Sequence, residues 1–396
     1  MTGEEKYFLS LLADFVQGKA SSLPEEEISW GKLTAYAKRQ DLCGILWQQL
    51  HTLELPEKSA KHLKGGFLSN VYLSVNSDCA LEEIEEAFDQ KKIAYLPFKG
   101  TLMKELYPVK ELRTMGDRDI LIRHEDRKAA DTVMISLGYE KFIDNHAVWT
   151  YYKQYLNFEI HDVMFYEDLS NQIDYRSFFQ KIWDTAKQEN GYRYSPDRDL
   201  HFAYLMTHTA KHITNKGMGF RAFLDMAFFV RNGNGDWEKI ISLLKELELY
   251  EFTCICFSLC EDWFDVRMPF RNEDPDREFM EEITEKIFRD GIFGLHNADN
   301  ITGHSAKEIR RSEKGYALTA AQLTLHKLFP PYRDMQLIPW YKWVDGKPWL
   351  LPAAWVYRWG YCIVNKRKEG TDLLLEPYQK RKEILDREEY LKKWGL

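Results

Sequence analysis

The stretch Arg113-Thr-Met-Gly116-Asp117-Arg118-Asp119-Ile-Leu-Ile122 decides how the rest of the chain is read. Upstream of it stand Lys99-Gly100-Thr101 and a segment ending in Tyr107-Pro108. Aspartate is a poor strand former and costly to bury, yet two of them run straight into an apolar triplet. In a strand, residues i and i+2 share a face, so Asp117 and Asp119 present carboxylates side by side, roughly 6–7 Å apart along the chain. Like charges so placed repel, and burial raises at least one pKa. A divalent cation removes the conflict, and two carboxylates plus substrate phosphates make the usual magnesium environment. Two such ions about 3.5–4 Å apart clamp the attacking and leaving oxygens of a phosphoryl group.

The upstream residues suit the same substrate. Gly100 lets a phosphate approach the backbone, and the helix it opens offers free N–H groups to an anion. Lys99 is a point charge for phosphate oxygens. Arg113 either holds a phosphate or braces the loop. A strand over Leu156 to Phe165 offers Glu159 and, on the same face, His161; Asp162 faces the other way. If that strand lies beside Asp119, Glu159 ligates metal or accepts a proton from an attacking hydroxyl. Taken alone, Gly116-Asp117 also reads as turn chemistry that caps the loop, Lys99 as a solvated turn residue, and His161 as a hydrogen-bonded strand histidine.

Outward from this stretch the period changes twice. Residues 1–90 read as helices, with Ser29 as an N-cap and Gly65-Gly66 as a weak point. Ile93 to Phe98 reads as a strand whose Pro97 marks an end or an edge. Thr101 to Tyr107 reads as a helix, Asp119 to Ile122 as a strand, and Glu125 to Leu137 as a helix closed by Gly138. Strands are expected over Ala147 to Tyr152 and Leu156 to Phe165. Beyond about residue 175 the pattern is helical again: Asp199 to His212, Phe220 to Arg231, Trp237 to Glu248, Glu251 to Phe264, Glu278 to Phe288 and Ala306 to Leu328. An aromatic connector follows, then a helix ending near Lys366 and a charged helical tail from Glu376.

Bulk numbers set the limits. A length of 396 residues suggests two or three domains, and 44% apolar residues supply a sizeable core. The net charge of -8 argues against a broad basic footprint for long nucleic acids. Cysteines are sparse, at six. Cys254, Cys256 and Cys260 fall in a helix-like run and read as buried thiols, which fits a reducing, cytoplasmic setting. The start Met-Thr-Gly-Glu-Glu-Lys reads without a signal peptide. Trp349 to Val364, broken by Pro352 and Arg358, is too short to span a bilayer, so no membrane partner is expected. His208 and His212 share a helix face. A zinc protease would need Glu after the first histidine, and Thr209 stands there instead; His208, with Lys211 or Asp225 nearby, reads as a substrate-pocket residue or, with His212, as a helix-packing one.

Lys-Gly, a helix ending in Tyr-Pro, Arg-x-Met-Gly-Asp-x-Asp-Ile-Leu-Ile and a helix ending in Leu-Gly-Tyr together resemble the uncharacterised nucleotidyltransferase family of the polymerase-beta-like superfamily. Leu205-Met-Thr-His208-Thr-Ala-Lys-His212 and Arg221-Ala-Phe-Leu-Asp225 are similar to that family's helical segment. The resemblance implies an α+β fold: a small mixed-sheet polymerase-beta-like core at 91–190, flanked by helical segments at 1–90 and 191–396. It implies metal-dependent transfer of a nucleoside monophosphate from an NTP to an acceptor hydroxyl, with pyrophosphate leaving. Asp117, Asp119 and Glu159 would hold magnesium, or manganese in its place. Lys99, Gly100, Thr101 and Arg113 would cradle the triphosphate of ATP, the expected donor, with His161 and His208 on the substrate side. The acceptor stays open: a small molecule, a protein hydroxyl or an RNA end. Three departures stand out. Thr101 replaces a serine or glycine, Glu159 replaces an aspartate, and Arg118 sits where an apolar residue is usual and must reach solvent or a partner. The alternative is a catalytically degenerate module that binds a nucleotide or a partner without turnover.

Overall fold

The computed structural model describes residues 1–144, 147–166, 169–170, 172–233, 235–292, 305–306, 308–309, 312, 315–336, 339–344 and 346–396. Four helices open the chain: α1 (Gly3–Gln17), α2 (Trp30–Arg39), α3 (Cys43–Leu50) and α4 (Glu57–Gln90). Thr2 caps α1 through a reciprocal capping box with Glu5, and Ser29 accepts from the Lys32 N–H to start α2. Both satisfy N–H groups that a helix leaves unpaired at its start. The expected weakness at Gly65-Gly66 is absent: α4 runs through it for 34 residues. A Cβ at Gly66 would lie 2.4 Å from the Cys43 Cβ. The glycine there lets α3 and α4 approach; it does not break the helix.

The sheet has five strands: β1 (Tyr95–Phe98), β2 (Arg118–Ile122), β3 (Glu140–Asp144), β4 (Val148–Lys153) and β5 (Leu156–His161). Their order is β1-β2-β5-β4-β3, antiparallel except for the β2–β5 pair. Pro97 sits on the edge strand β1, where its missing N–H costs no ladder bond. The opposite edge, β3, was not expected. Its Glu140, Lys141 and Asp144 lack strand-like alternation, but charge on an edge strand discourages pairing with other chains. The helix expected over Thr101 to Tyr107 is a single α turn, α5 (Gly100–Met103), that tightens into a 3-10 turn over Lys104–Leu106. Helix α6 (Arg127–Ser136) ends before Gly138 at φ +82°. One face of the sheet packs on α4 and α6 through Ile84, Phe88, Ile120, Ile122 and Met134.

Short helices α7 (Tyr175–Gln180) and α8 (Ile182–Thr185) lead to α9 (Arg198–Asn215), α10 (Phe220–Arg231), α11 (Trp237–Glu246), α12 (Tyr250–Phe264) and α13 (Arg277–Asp290). These share one core with α1–α3: Phe8 packs on Phe220 and Phe288, and Phe15 on Phe228. Cys254, Cys256 and Cys260 are buried free thiols. Of the helix expected over 306–328, residues 316–328 are helical, as are 305–306 and 308–309; residues 307, 310–311 and 313–314 lie outside the described set. The charged tail does not stay in solvent, because Trp394 is buried against Phe252 and Phe279. Among the described residues, no helix is long and apolar enough to cross a membrane.

Candidate active site

Parallel pairing of β2 with β5 places Asp119 opposite Glu159, so both side chains emerge on one face. His161, two residues on, shares that face. One ligand atom each from Asp119, Glu159 and His161 lie within 4.8 Å of one another. The Lys99 Nζ donates to Asp119 Oδ1 at 2.7 Å, and His161 Nε2 lies 2.8 Å from the same oxygen. Oδ2 of Asp119 has no hydrogen-bond partner among the described residues, and Asp119 lines the cleft. Burial alone would raise the Asp119 carboxyl, but Lys99 and His161 outweigh it and hold it at about 2. Conversely, burial would lower the Lys99 ammonium, and Asp119 lifts it well above its ordinary value.

Asp117 stands one residue before β2 and outside that three-residue group. It lines the same cleft as Asp119. Burial, then the charges of Asp119 and Glu159, push its carboxyl up to about 6 against the opposing pull of Lys99.

Lys99 holds φ +53° and ψ -128°, a region that side-chain-bearing residues populate only when their surroundings compel it. Its N–H donates to His201 Nε2 at 3.0 Å and its ammonium is drawn to Asp119. Strain here keeps a lysine where a glycine would sit more easily. Gly100 lines the cleft, and the side where a Cβ would stand is filled. A Cβ there would lie 2.3 Å from Arg113 Nη1 and 2.9 Å from Met115 Sδ. The glycine admits the guanidinium. Arg113 in turn is a brace: Nε and Nη2 bind Asp225 at 3.1 and 2.6 Å, and Tyr107 donates to the same carboxylate at 2.8 Å. Gly100→Ala is therefore expected to displace Arg113 and lower stability by about 2 kcal/mol, measured by urea unfolding. An unchanged midpoint would mean that the guanidinium can move aside at no cost.

Thr101 does not line the cleft, and its buried hydroxyl has no partner among the described residues. Arg118 points to the opposite face of β2, as strand alternation requires. It finds a partner rather than solvent: Nη2 lies 2.9 Å from Asp78 on α4, which also holds Lys104 at 2.7 Å. One carboxylate thus ties the Asp-bearing strand to the segment following Gly100. His208 and His212 both face the cleft, with their Nε2 atoms 3.3 Å apart. Burial lowers both imidazoles, His208 strongly and His212 to about 3, so both are neutral near pH 7.

Sequence reasoning missed Arg221, His201 and Asp78. Arg221 lines the cleft and donates to the Thr114 carbonyl at 3.0 Å. Its sequence signal was its place at the head of the Arg221-Ala-Phe-Leu-Asp225 motif, with no role attached to it. The cleft, about 950 Å³ including its open mouth, runs between the sheet and α9–α10. Lys99, Arg113 and Arg221 bring positive charge to it, Asp117 and Asp119 negative charge, and Leu205, Met206 and Met226 an apolar wall. A family model described as uncharacterised nucleotidyltransferase matches residues 26–265, which include every residue that lines this cleft except Ile292. No curated protein and no solved structure matches the chain.

Proposed function

The chain belongs to the uncharacterised nucleotidyltransferase family, and from that premise we propose that it moves a nucleoside monophosphate from an NTP, with ATP as the expected donor, to an acceptor hydroxyl on a small molecule or a protein. The observation that carries this reading is Asp119 facing Glu159 across the β2–β5 pair beside a cleft lined with cations. The donor set fits a hard cation, magnesium or manganese, because Asp117, Asp119 and Glu159 offer carboxylate oxygens and Asp119 Oδ2 meets no donor among the described residues. His161 fits a holding role better. Its Nδ1 is buried without a partner among the described residues, whereas a metal-bound imidazole almost always donates its other N–H.

When bound, such a cation neutralises the phosphates and the leaving pyrophosphate. The chain's own residues do the rest. Lys99 and Arg221 hold phosphate charge at the cleft. Glu159, a quarter exposed, accepts the proton as the acceptor oxygen bonds to the α-phosphorus and the bond to the β-phosphate oxygen breaks. Six free cysteines suit a cytoplasmic setting.

Incubation with each α-labelled NTP and magnesium or manganese should release pyrophosphate and label an acceptor or the protein itself. Proton competition at Asp117 adds a pH signature. Below about pH 6 that carboxyl is protonated, and metal affinity should fall roughly tenfold per pH unit, read by titration calorimetry with manganese. Affinity that stays flat from pH 5 to 7 would remove Asp117 from the metal set. A second reading, nucleotide binding without transfer, draws on the Lys99 ammonium already neutralising Asp119. Metal-dependent NTP binding with no pyrophosphate release would select it.

A further inference from the structure

The matched family region ends at residue 265, and the helix Leu351–Asn365 lies well beyond it. This helix buries only Ala354. Its outward side carries Val356 at 63% exposure, Tyr357 at 56%, Tyr361 at 46%, Ile363 at 67% and Val364 at 80%, and Trp349 just before it is 71% exposed. Positions 356, 357, 361 and 364 follow helical spacing, so they form one continuous stripe. Isolated exposed apolar residues need no explanation, but a contiguous stripe of this kind marks an interaction site.

Charge identifies the occupant. From Lys347 to Lys368 the sequence has five basic residues (Lys347, Arg358, Lys366, Arg367 and Lys368) and no acidic one, in a chain whose net charge is -8. Lys347 precedes the stripe and Lys366 and Lys368 follow it, all exposed. Tryptophan and tyrosine with an apolar body and a polar edge favour the headgroup level of a bilayer. Basic residues at both ends complement anionic headgroups, and their alkyl stems can lie along the apolar layer. Asp345 and Glu369 bound this window, and with them counted residues 345–369 still hold five basic residues against two acidic ones; acidic residues more than about 8–10 Å away are screened at physiological salt.

We propose that the Leu351–Asn365 helix docks the protein in the plane of an anionic lipid surface, its Trp349/Val356/Tyr357/Tyr361/Val364 side inserted and its flanking lysines on the headgroups. The segment does not span, since it is too short and is interrupted by Pro352 and Arg358; it lies on the surface. This use of the helix is independent of the chemistry in the cleft.

Co-sedimentation of the full chain with extruded phosphatidylcholine vesicles, with and without 30% phosphatidylserine, tests it. The protein should pellet with the anionic vesicles and stay in the supernatant with the neutral ones, and added salt should release it. Val356→Asp/Val364→Asp, at exposed positions and with an intact fold checked by circular dichroism, should abolish pelleting. Lys366→Gln and Lys368→Gln should each weaken binding about fivefold. Equal pelleting of the double aspartate variant and the parent chain, or no pelleting with either vesicle, overturns the proposal. A concentration-dependent dimer in light scattering that the double aspartate variant dissolves also overturns it, and gives the stripe to a second copy of the chain.

Discussion

Asp119→Asn is expected to lower nucleotidyl transfer by roughly three orders of magnitude while the protein remains folded. The amide keeps the size of the side chain and can still accept from Lys99, but it is a far weaker metal ligand and carries no charge. Its second effect is electrostatic. Lys99 is pulled onto Asp119 at 2.7 Å with a side chain only 15% exposed, and a buried ammonium that loses its counter-ion costs about 3 kcal/mol. Thermal melting should therefore register a lower Tm with a single cooperative transition. Sign matters for the acid limb. The folded carboxyl of Asp119 is depressed to about 2, below its unfolded value, so its contribution is complete above the ordinary carboxylate pKa. That contribution disappears as pH falls toward 2. The variant should lack that part of the acid sensitivity. Pyrophosphate release at the parent rate would remove Asp119 from the reaction, whatever the melting curve shows.

The second large effect belongs to a residue that touches no proposed reacting atom. Asp225→Asn should cost about 3–5 kcal/mol, read from denaturant midpoints at unchanged slope. The Asp225 carboxylate accepts two bonds from Arg113 and one from Tyr107, and the Arg113 and Asp225 side chains are both about 10% exposed. Neutralising the acid strands a nearly buried guanidinium next to Gly100, whose missing side chain makes room for it. A double replacement, Arg113→Met with Asp225→Leu, should recover much of the loss, because it removes both desolvation penalties together. If Asp225→Asn alone shifts stability by less than about 1 kcal/mol, Arg113 has another way to discharge its charge and the brace is not what holds the loop.

These expectations divide along what could be read in one dimension. The strand that carries Asp119, the Glu159-x-His161 face of the strand beside it and the helical flanks were legible because each rests on a short-range period, two residues for a strand and 3.6 for a helix; that period does not extend to Asp117, since β2 begins after it. The charged edge strand β3 was not, because its composition answers to its place at the sheet margin rather than to a buried face. Gly65-Gly66 was misread for a related reason: glycine signals both a break and a close helix approach, and only Cys43 on the neighbouring helix separates the two.

By itself, the sequence determined which side of each element a residue occupies, since alternation along a strand or helix is a local property of the backbone. Tertiary structure alone decided the partners. It set Asp119 against Glu159, paired Arg113 with Asp225, gave Arg118 to Asp78 and left Thr101 outside the cleft. A charged group will pair with whichever opposite charge the fold brings within a few ångströms, and no spacing along the chain encodes that distance.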